Sequence, residues 1–216
     1  MSVALPTIRV GDPIRHEALS VFPLYSEPQG DAVKYQLSDE ALNANSLLVE
    51  EVSEEGAVPD LLVVNKGDDR VLFLEGEELV GAKQNRILNT SVLVAAHTKI
   101  KIPVSCVEQK RWGYSTRHFG SSGSHSPARL RRALKSSVSK SVRGKRGPLS
   151  DQHKVWKAVA SLHHKHNVAS GTAAMSDAFD SYQDQINAYL EKVKYVRDAS
   201  GFVVAIGDQV LSVDLF

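Results

Sequence analysis

Residues 71–112, VLFLEGEELVGAKQNRILNTSVLVAAHTKIKIPVSCVEQKRW, decide the fold. From residue 99 onward, apolar and polar residues alternate with the period of a β-strand. One face of this predicted strand comprises Ile100, Ile102, Val104 and Cys106. The other face is polar, so the pattern predicts a strand with one side in the core and one side in solvent.

The run before this strand also alternates, with a reversal at His97 and Thr98. Its apolar face comprises Leu88, Thr90, Val92 and Val94. If the two runs pair as an antiparallel ladder, Arg86 and Glu108 continue their apolar faces at the far end. We therefore predict an ionic pair of Arg86 and Glu108 at the floor of a pocket.

Upstream, residues 7–10, 18–25 and 47–52 have the composition of short strands, and Ser38 is predicted to cap a short helix. Residues 61–64 and 71–74 are continuous apolar runs joined by turn-forming residues, which predicts a hairpin covered on both faces.

Downstream, residues 113–123 are rich in Gly, Ser and aromatic residues, and the serines that follow predict a mobile segment. Two helices are predicted next, one with Val155 and Val159 on its apolar face and one beginning at an N-cap, Ser176. A final hairpin joins residues 202–206 to residues 210–216.

Strands followed by helices predict an α+β fold with a mostly antiparallel sheet or sandwich and flanking C-terminal helices. We expect a single domain over residues 1–216. Within it, residues 1–112 would form a β-rich core and residues 113–150 a Ser/Gly-rich and basic segment, followed at 151–216 by two helices and a closing hairpin.

The composition limits the classes of function. A chain of 216 residues with 42% hydrophobic and 24% charged residues is ordinary for a globular protein, and its net charge of +1 gives no global attraction to nucleic acid or membrane. The single cysteine, Cys106, excludes an intramolecular disulfide and any multi-cysteine zinc site. The start of the chain does not have the pattern of a secretory signal, and no apolar run approaches the ~20 residues that span a bilayer. We expect a cytoplasmic protein that does not enter the membrane.

Three carboxylates, Glu75, Glu77 and Glu78, directly follow a predicted buried strand. They can act as general acid and base or hold a cation, although a solvated turn has the same composition. Glu78 is the preferred candidate of the three for a catalytic role, because it lies closest to the strand that leads into a cluster of amides.

That cluster comprises Gln84, Asn85, Arg86 and Asn89. Carboxamides can form hydrogen bonds with the edge of a base or a ribose, and a guanidinium can bind a phosphate through two hydrogen bonds. The alternative is structural, with the amides satisfying backbone groups. Cys106 is predicted to be a buried, inert thiol rather than a nucleophile.

Two further features have simpler interpretations. His163, His164 and His166 lack the spacing of a metal site and are predicted to lie on the surface or end of a helix. No phosphate-loop or dinucleotide-binding glycine motif is present.

A run without acidic residues ends the middle segment. Its cations are Arg129, Arg131, Arg132, Lys135, Lys140, Arg143, Lys145 and Arg146. Such a run can follow a phosphate backbone or contact an acidic partner, but it is also compatible with a solvated loop or helix.

The segments VLFLEGEELVGAKQNRILNTSVLV, IPVSCVEQKRWGY and GFVVAIGDQVLSVDLF resemble a bacterial domain family of unknown function. The family is named for its association with ADP-ribosylglycohydrolases and rhodanese-phosphatases. The resemblance implies a place in NAD or ADP-ribose metabolism, or in the processing of nucleic-acid ends. Its typical residues here are Glu75, Gly76, Glu77, Glu78, Gly81, Gln84, Asn85, Arg86, Asn89, Cys106, Glu108, Gln109, Arg111 and Trp112. Lys110 departs from the family, where a glycine is expected.

We therefore expect a nucleotide-like small ligand, specifically a phosphorylated ribose compound of the ADP-ribose or NAD type, which the chain binds and hydrolyses. Glu78 and Glu108 are the predicted catalytic residues, and no metal ligand is assigned. The predicted ligand-binding residues are Gln84, Asn85, Arg86, Asn89, Arg111 and Trp112. The alternative is a non-catalytic module whose residues 129–146 bind RNA or an acidic protein partner. A cupin-type metal enzyme is a third reading, although the paired histidines such a site needs are missing between His16 and His118.

Overall fold

A computed structural model describes residues 6–27, 33–56 and 59–215. The strands of these residues are β1 (Ile8–Val10), β2 (Ile14–His16), β3 (Leu19–Ser26), β4 (Tyr35–Leu37), β5 (Leu47–Glu51), β6 (Asp60–Asn65), β7 (Arg70–Phe73), β8 (Glu77–Gly81), β9 (Arg86–Leu88), β10 (Val92–Val94), β11 (Lys99–Cys106), β12 (Phe119–His125), β13 (Gly201–Ile206) and β14 (Gln209–Leu215). The helices are α1 (Ser38–Asn43), α2 (Ala128–Arg143), α3 (Gln152–His166), α4 (Ser176–Asp180) and α5 (Gln183–Lys192). All strand pairs are antiparallel except that of β4 with β7, which confirms the predicted α+β class.

The described residues form two compact units. One comprises the described parts of Met1–Val33 and Tyr182–Phe216, and the other is Lys34–Ser181. The single domain expected over residues 1–216, with its division into residues 1–112, 113–150 and 151–216, stays a prediction.

The smaller unit is a five-stranded sheet with helix α5. Its strand order is β1, β3, β13, β14, with β2 also on β3. The predicted C-terminal hairpin is confirmed as the pair of β13 and β14, and Gly207 at the turn has a φ of 58°. Phe216, which the prediction placed in the last strand, lies outside the described residues.

The larger unit has two sheets around one apolar core. The six-stranded sheet has the order β12, β8, β9, β11, β6, β5, and the three-stranded sheet the order β10, β7, β4. Both sheets contribute to the core, for example through Val63 of β6 and Phe73 of β7. A second core lies against α2 and α3, where Ile87 of β9 packs with helix residues such as Leu134 and Val155. Because Leu88 belongs to the first core and Ile87 to the second, β9 is covered on both faces.

The predicted hairpin of residues 61–64 and 71–74 is wrong. Strand β6 pairs with β5 and β11, whereas β7 pairs with β4 and β10 in the other sheet. Asn65 explains the crossing, since its side-chain amide donates to the carbonyl oxygens of Asp69 (2.9 Å) and Ala95 (3.0 Å). These bonds fix the connection as it leaves one sheet and enters the other.

The antiparallel ladder predicted between the runs before and after His97 is correct only for the residues of β9. Strand β9 pairs with β11, but β10 leaves that sheet and pairs with β7. The register places Arg86 opposite Cys106. The predicted Arg86–Glu108 pair is therefore wrong by two residues, because the position opposite Glu108 is that of Gln84.

The segment predicted to be mobile contains regular structure. Residues 119–125 form β12, which pairs with β8, and the first part of the basic run forms α2. The apolar residues Leu130, Leu134 and Val138 repeat at helical spacing and are buried. Packing of this stripe explains the helix in a segment that is otherwise cationic.

Two helix predictions need correction at their starts. Ser38 and Ser176 are the first residues of α1 and α4 rather than their N-caps, which are Leu37 and Met175. The predicted helix after Ser176 is divided into α4 and α5. Helix α3 matches its prediction, with Val155 and Val159 buried and the three histidines in its last turn.

Among the described residues, no helix combines the length and the apolar character that crossing a membrane requires.

Candidate functional site

The turn between β8 and β9 gives the site its shape. Gly81 has a φ of +119°, and a Cβ at this position would lie 2.9 Å from the carbonyl oxygen of His118 and still closer to the hydroxyl of Thr116. A residue with a side chain is therefore excluded both by backbone conformation and by contact. The Asn85 side chain closes the turn by accepting a hydrogen bond from the Gly81 amide at 3.2 Å.

Arg111 joins this turn to the segment after β11. Its Nε and Nη2 donate to the two carboxylate oxygens of Glu108 at 2.8 and 2.6 Å. The same guanidinium donates to the carbonyl oxygens of Gly81 (3.2 Å) and Ala82 (2.6 Å) and to the side chain of Asn85 (3.1 Å). The backbone N–H of Asn85 also donates a hydrogen bond to the Glu108 carboxylate at 3.0 Å. Arg111 thus fixes the position of Glu108 relative to the turn.

Glu108 is ionised in this setting. Burial raises the pKa of its carboxyl, but hydrogen bonds from Arg111, Thr172 and the Asn85 amide, together with the charge of Arg111, outweigh burial. The pKa of Glu108 therefore lies below its ordinary value.

Glu78 has the opposite environment. It is fully buried, and neither carboxyl oxygen has a hydrogen bond of normal geometry. Its pKa is raised to about 8, first by burial and then by the negative charges of Asp180 and Glu108, while the nearby Ser122 hydroxyl and Ser176 backbone amide act in the opposite direction. Glu78 consequently keeps its proton at neutral pH. We call Glu78, Asn85, Glu108 and Arg111 the Glu78 cluster.

A strap of residues 170–176 covers the Glu78 cluster. Backbone hydrogen bonds of 2.9 Å join Lys110 to Thr172 and Met175 to Val107. Glu108 and Ala174 form an isolated antiparallel bridge, and Asn85 donates to the Ser176 hydroxyl at 3.3 Å. The strap includes Ala173, whose positive φ of 56° is unusual for a residue with a side chain.

Arg86 lies deeper than the Glu78 cluster and is fully buried. Its Nη1 donates to Gln84 (2.9 Å) and to the Cys106 sulfur (3.0 Å), and its Nη2 lies 3.7 Å from Glu51. Within the described residues, Nε and Nη2 of Arg86 and Oε2 of Glu51 have no hydrogen-bond partner. Unpartnered buried polar atoms cost free energy, so this pair, like Glu78, is incompletely satisfied.

An aromatic surface adjoins these buried groups. We call Lys83, Trp112 and Tyr114 the Trp112 surface. The Lys83 ammonium lies 5.5 Å from the ring centre of Trp112 and 5.2 Å from that of Tyr114, and the Arg86 guanidinium lies 5.8 Å from that of Trp112. The two aromatic side chains are about half exposed, at 50% and 52%. Exposed aromatic rings beside a cation suit a planar, anionic ligand.

The structure brings together most of the predicted site residues. Gln84, Asn85, Glu108 and Arg111 lie within one hydrogen-bond network, to which Gln84 contributes a 2.7 Å hydrogen bond to the Glu108 carbonyl. Glu78 is not hydrogen-bonded to this network but lies near enough to Glu108 for the charge of Glu108 to raise its pKa. Arg86 and Trp112 lie beside it.

Asn89 is the exception. Its amide donates to the carbonyl oxygens of Val104 (3.2 Å) and Pro148 (3.1 Å), and its oxygen accepts from Ser105 at 2.5 Å. Asn89 thus ties β11 to the segment before α3, which is the structural use of an amide.

The other two carboxylates of the acidic turn serve elsewhere. Glu77 accepts hydrogen bonds from the Ser38 hydroxyl and the Leu74 amide, and burial raises its pKa. Glu75 faces Lys135 of α2 at 3.9 Å. The three carboxylates therefore do not form one site.

Cys106 is buried as predicted, and burial raises the pKa of its thiol against the opposing charge of Arg86. His97 makes its contact with Asp68 at the other end of β11. Among the described residues, no group of three His, Cys, Asp or Glu side chains is arranged to hold a metal ion.

The sequence analysis missed Glu51, Lys83, Tyr114 and the strap. Lys83 is adjacent in sequence to the amide cluster, and Tyr114 is two residues from Trp112. Both could therefore have been predicted as site residues from their sequence neighbours. Glu51 and the strap come from distant parts of the chain, and only the folded structure brings them to the site.

No curated protein and no solved structure matches the chain. The model of one domain family matches residues 7–216, nearly the whole chain. The chain belongs to the ARG and Rhodanese-Phosphatase-superfamily-associated Protein domain family.

Proposed function

We propose that the chain binds a phosphorylated ribose compound of the ADP-ribose or NAD type and hydrolyses a glycosidic bond at its ribose. The observation that carries this proposal is the contrast between two neighbouring carboxyl groups: Glu78 is fully buried without a hydrogen-bond partner, whereas Glu108 is held by two nitrogens of Arg111. Burial raises the pKa of Glu78, and these hydrogen bonds help to lower that of Glu108. Two carboxyl groups whose environments move their pKa values apart are typical of acid and base assignments in enzymes. The family's name, which associates it with ADP-ribosylglycohydrolases, supports the choice of ligand.

Glu78 is the proposed general acid. A carboxyl group with a pKa of about 8 carries a proton at neutral pH and can give it to a leaving group. As the bond between ribose C1′ and an ADP-ribosylated arginine side chain breaks, the guanidine keeps the electron pair and takes the proton of Glu78, whereas the nicotinamide of NAD would leave as a neutral base without a proton. Water then adds at C1′ and returns a proton to Glu78.

Glu108 is the proposed electrostatic partner. Cleavage at C1′ develops positive charge on the ribose, as in other glycosidic hydrolyses. A carboxylate held ionised by Arg111 stabilises that charge without needing to move.

The Trp112 surface is the proposed recognition element. A nucleobase can stack on an exposed indole, a contact typically worth about 1–3 kcal/mol, while the Lys83 ammonium contacts phosphate. Arg86 was predicted to hold the phosphate, but its complete burial favours a different role, which is to support Trp112 from the interior.

Access to Glu78 requires a movement of the strap. Glu78 has no exposed surface, and the strap segment near Ser176 lies against it. Opening would have to break two backbone hydrogen bonds, one bridge and the side-chain contacts Asn85–Ser176, Thr172–Glu108 and His163–Ala174, and it would disturb Met175, which is buried in the second core. Ligand binding at the Trp112 surface would precede this opening.

The test follows release of nicotinamide from NAD, and of arginine from an ADP-ribosylated arginine peptide, by reverse-phase chromatography. Glu78→Gln should abolish release of arginine from the peptide while leaving the fold intact, because Gln has the shape of the neutral carboxyl but no acidic proton. Glu77→Gln is the matched control, since this neighbouring buried carboxyl bonds to Ser38 instead. Equal rates in Glu78→Gln and the unmodified protein would exclude Glu78 as the acid, and no turnover of either substrate would contradict hydrolysis.

A further inference from the structure

The charge of the chain is concentrated in one helical region. Residues 126–176 contain eleven Lys and Arg residues and one acidic residue, Asp151. The rest of the chain contains 15 basic and 24 acidic residues. The net charge of +1 therefore conceals a strongly cationic segment within an otherwise acidic protein.

The fold places nine of these cations on one pair of packed helices, and Lys145 and Arg146 on the segment that joins the two helices. Helices α2 and α3 bury their apolar residues together, including Leu134 and Val155, which leaves their polar faces outward. The exposed cations are Arg129, Arg132, Lys135, Lys140, Arg143, Lys145, Arg146, Lys154, Lys157 and Lys165. We call these ten residues and the two helices the cationic helix pair.

Few of these charges are neutralised. Lys154 lies 3.4 Å from Asp151, the N-cap of its own helix, and Lys135 lies 3.9 Å from Glu75. The other eight exposed cations form no ion pair with any residue that the structure describes. Repulsion among unpaired like charges destabilises a fold, so a polyanion that covers them would stabilise it.

The chemistry of this surface favours phosphate over an acidic protein. Four of the ten exposed cations are arginines, whose guanidinium groups bind phosphate and carboxylate alike through two parallel hydrogen bonds, so the choice between the two rests on the absence of apolar anchors. Protein interfaces have aromatic or apolar anchors at their centre and few lysines. Between residues 126 and 176, the large hydrophobic residues that are exposed are Val142 and Leu149, and neither is aromatic.

The dimensions also fit a nucleic-acid backbone. Arg129 and Arg143 lie near the two ends of α2, about 21 Å apart for a rise of 1.5 Å per residue. A duplex presents a phosphate charge about every 1.7 Å of its axis, so several phosphates can be contacted at once. Since no exposed aromatic residue is available here to stack unpaired bases, a duplex suits this face better than a single strand.

We propose that the cationic helix pair binds the phosphodiester backbone of double-stranded nucleic acid without regard to sequence. This inference rests on the charge and packing of α2 and α3 and is independent of the proposed small-molecule site. Backbone contacts of this kind position a protein on nucleic acid but read no bases.

The experiment measures fluorescence anisotropy of labelled RNA and DNA duplexes of mixed sequence with the full chain over a range of salt concentrations. For about four neutralised phosphates, the slope of log K against log[salt] is about −3.6, or roughly 100-fold weaker binding at about 200 mM than at about 50 mM salt. Comparison of the two affinities shows whether the cationic helix pair prefers the backbone of RNA or that of DNA.

The test variant carries Arg129→Gln, Arg132→Gln, Lys140→Gln and Arg143→Gln. It should bind at least 10-fold more weakly at low salt, and its salt slope should be reduced by about three to four. The control carries Lys66→Gln, Arg70→Gln, Lys99→Gln and Lys101→Gln, which removes the same charge from four exposed positions outside the helix pair. The control should bind as the unmodified protein does.

Three outcomes would overturn the inference. These are absence of binding to both duplexes at low salt, an equal loss of affinity in the control variant, and polyglutamate of similar length competing as well as a duplex. Far-ultraviolet circular dichroism of both variants establishes that they are folded before binding is compared.

Discussion

Arg111 holds both carboxylate oxygens of Glu108, at 2.8 and 2.6 Å, and fixes this carboxylate beside the turn of residues 81–85. The relationship explains why the pKa values of two neighbouring carboxyl groups, Glu108 and Glu78, shift in opposite directions. Glu108 has a guanidinium partner, whereas Glu78 has burial and two neighbouring negative charges.

Arg111→Ala should destabilise the fold strongly. It leaves the carboxylate of Glu108, which is 4% exposed, without its charged partner, and removing one member of such a pair typically costs about 3–5 kcal/mol. Urea unfolding at neutral pH measures the loss. Arg111→Ala combined with Glu108→Gln should recover part of it, and a double variant as unstable as Arg111→Ala alone would contradict the assigned pair.

The same pair predicts a dependence on acid. Because the pKa of Glu108 is lowered in the folded state, its stabilisation is present above the ordinary carboxyl pKa and is lost as the pH falls through the folded value. The free energy of unfolding should therefore fall at acidic pH more in the unmodified protein than in Glu108→Gln. Identical acid profiles of the two proteins would show that Glu108 is not ionised by its surroundings.

Glu78 predicts the opposite dependence. Its pKa is raised from 4.5 to about 8, so its contribution is fully present below 4.5 and is lost as the pH rises through about 8. Each unit of pKa is about 1.4 kcal/mol, which sets the loss at roughly 3–5 kcal/mol at about pH 9.

Urea unfolding at several pH values tests this dependence. Glu78→Gln should lack the alkaline loss, whereas Glu55→Gln, at an exposed carboxylate, should retain it. An alkaline loss of equal size in Glu78→Gln would exclude a buried neutral Glu78.

Gly81→Ala should damage the turn that shapes the site. Its positive φ strains any other residue, and the added Cβ meets Thr116 and His118. We expect destabilisation of about 1–3 kcal/mol in urea unfolding. Gly120→Ala is the matched control, because Gly120 lies on the neighbouring strand β12 with open space around it. A loss no greater than that of Gly120→Ala would show that the turn tolerates a side chain.

The effect of replacing Arg86, which pairs with the buried Glu51, can be followed by the fluorescence of Trp112. Arg86→Met removes the guanidinium near the indole and leaves Glu51 unpaired, so both a fluorescence change and destabilisation of about 3–5 kcal/mol are expected. The measurement uses a Trp156→Phe background, which leaves Trp112 as the single tryptophan. Unchanged emission would contradict the contact between Arg86 and Trp112.

Local patterns in the sequence predicted much of the fold. Alternation located β11, helical spacing located α3, and the Gly207–Asp208 turn located the last hairpin. These features depend on residues close together in the chain. The partners of β7 and β10 could not be predicted in this way, because the Asn65 connection and the departure of β10 from its sheet depend on distant strands.

The site shows the same division between local and distant effects. The types of its polar residues were readable from the sequence, and Asn85, Glu108 and Arg111 do meet. The raised pKa of Glu78 was not readable, because it depends on burial in the folded chain and on the charge of Asp180, which lies far along the sequence. The burial of Arg86 was not readable either, since a buried arginine and an exposed one look alike in sequence, and its contact with a phosphate stays a prediction.

The most direct test of the central claim is calorimetric titration of ADP-ribose into the full chain and into Trp112→Ala. Tyr195→Ala, which removes a 90% exposed aromatic residue elsewhere, is the control. We predict saturable binding that Trp112→Ala weakens by about 5- to 150-fold, the equivalent of about 1–3 kcal/mol, and that Tyr195→Ala leaves unchanged. Absence of binding, or equal affinity in Trp112→Ala and the unmodified protein, would contradict the proposed site.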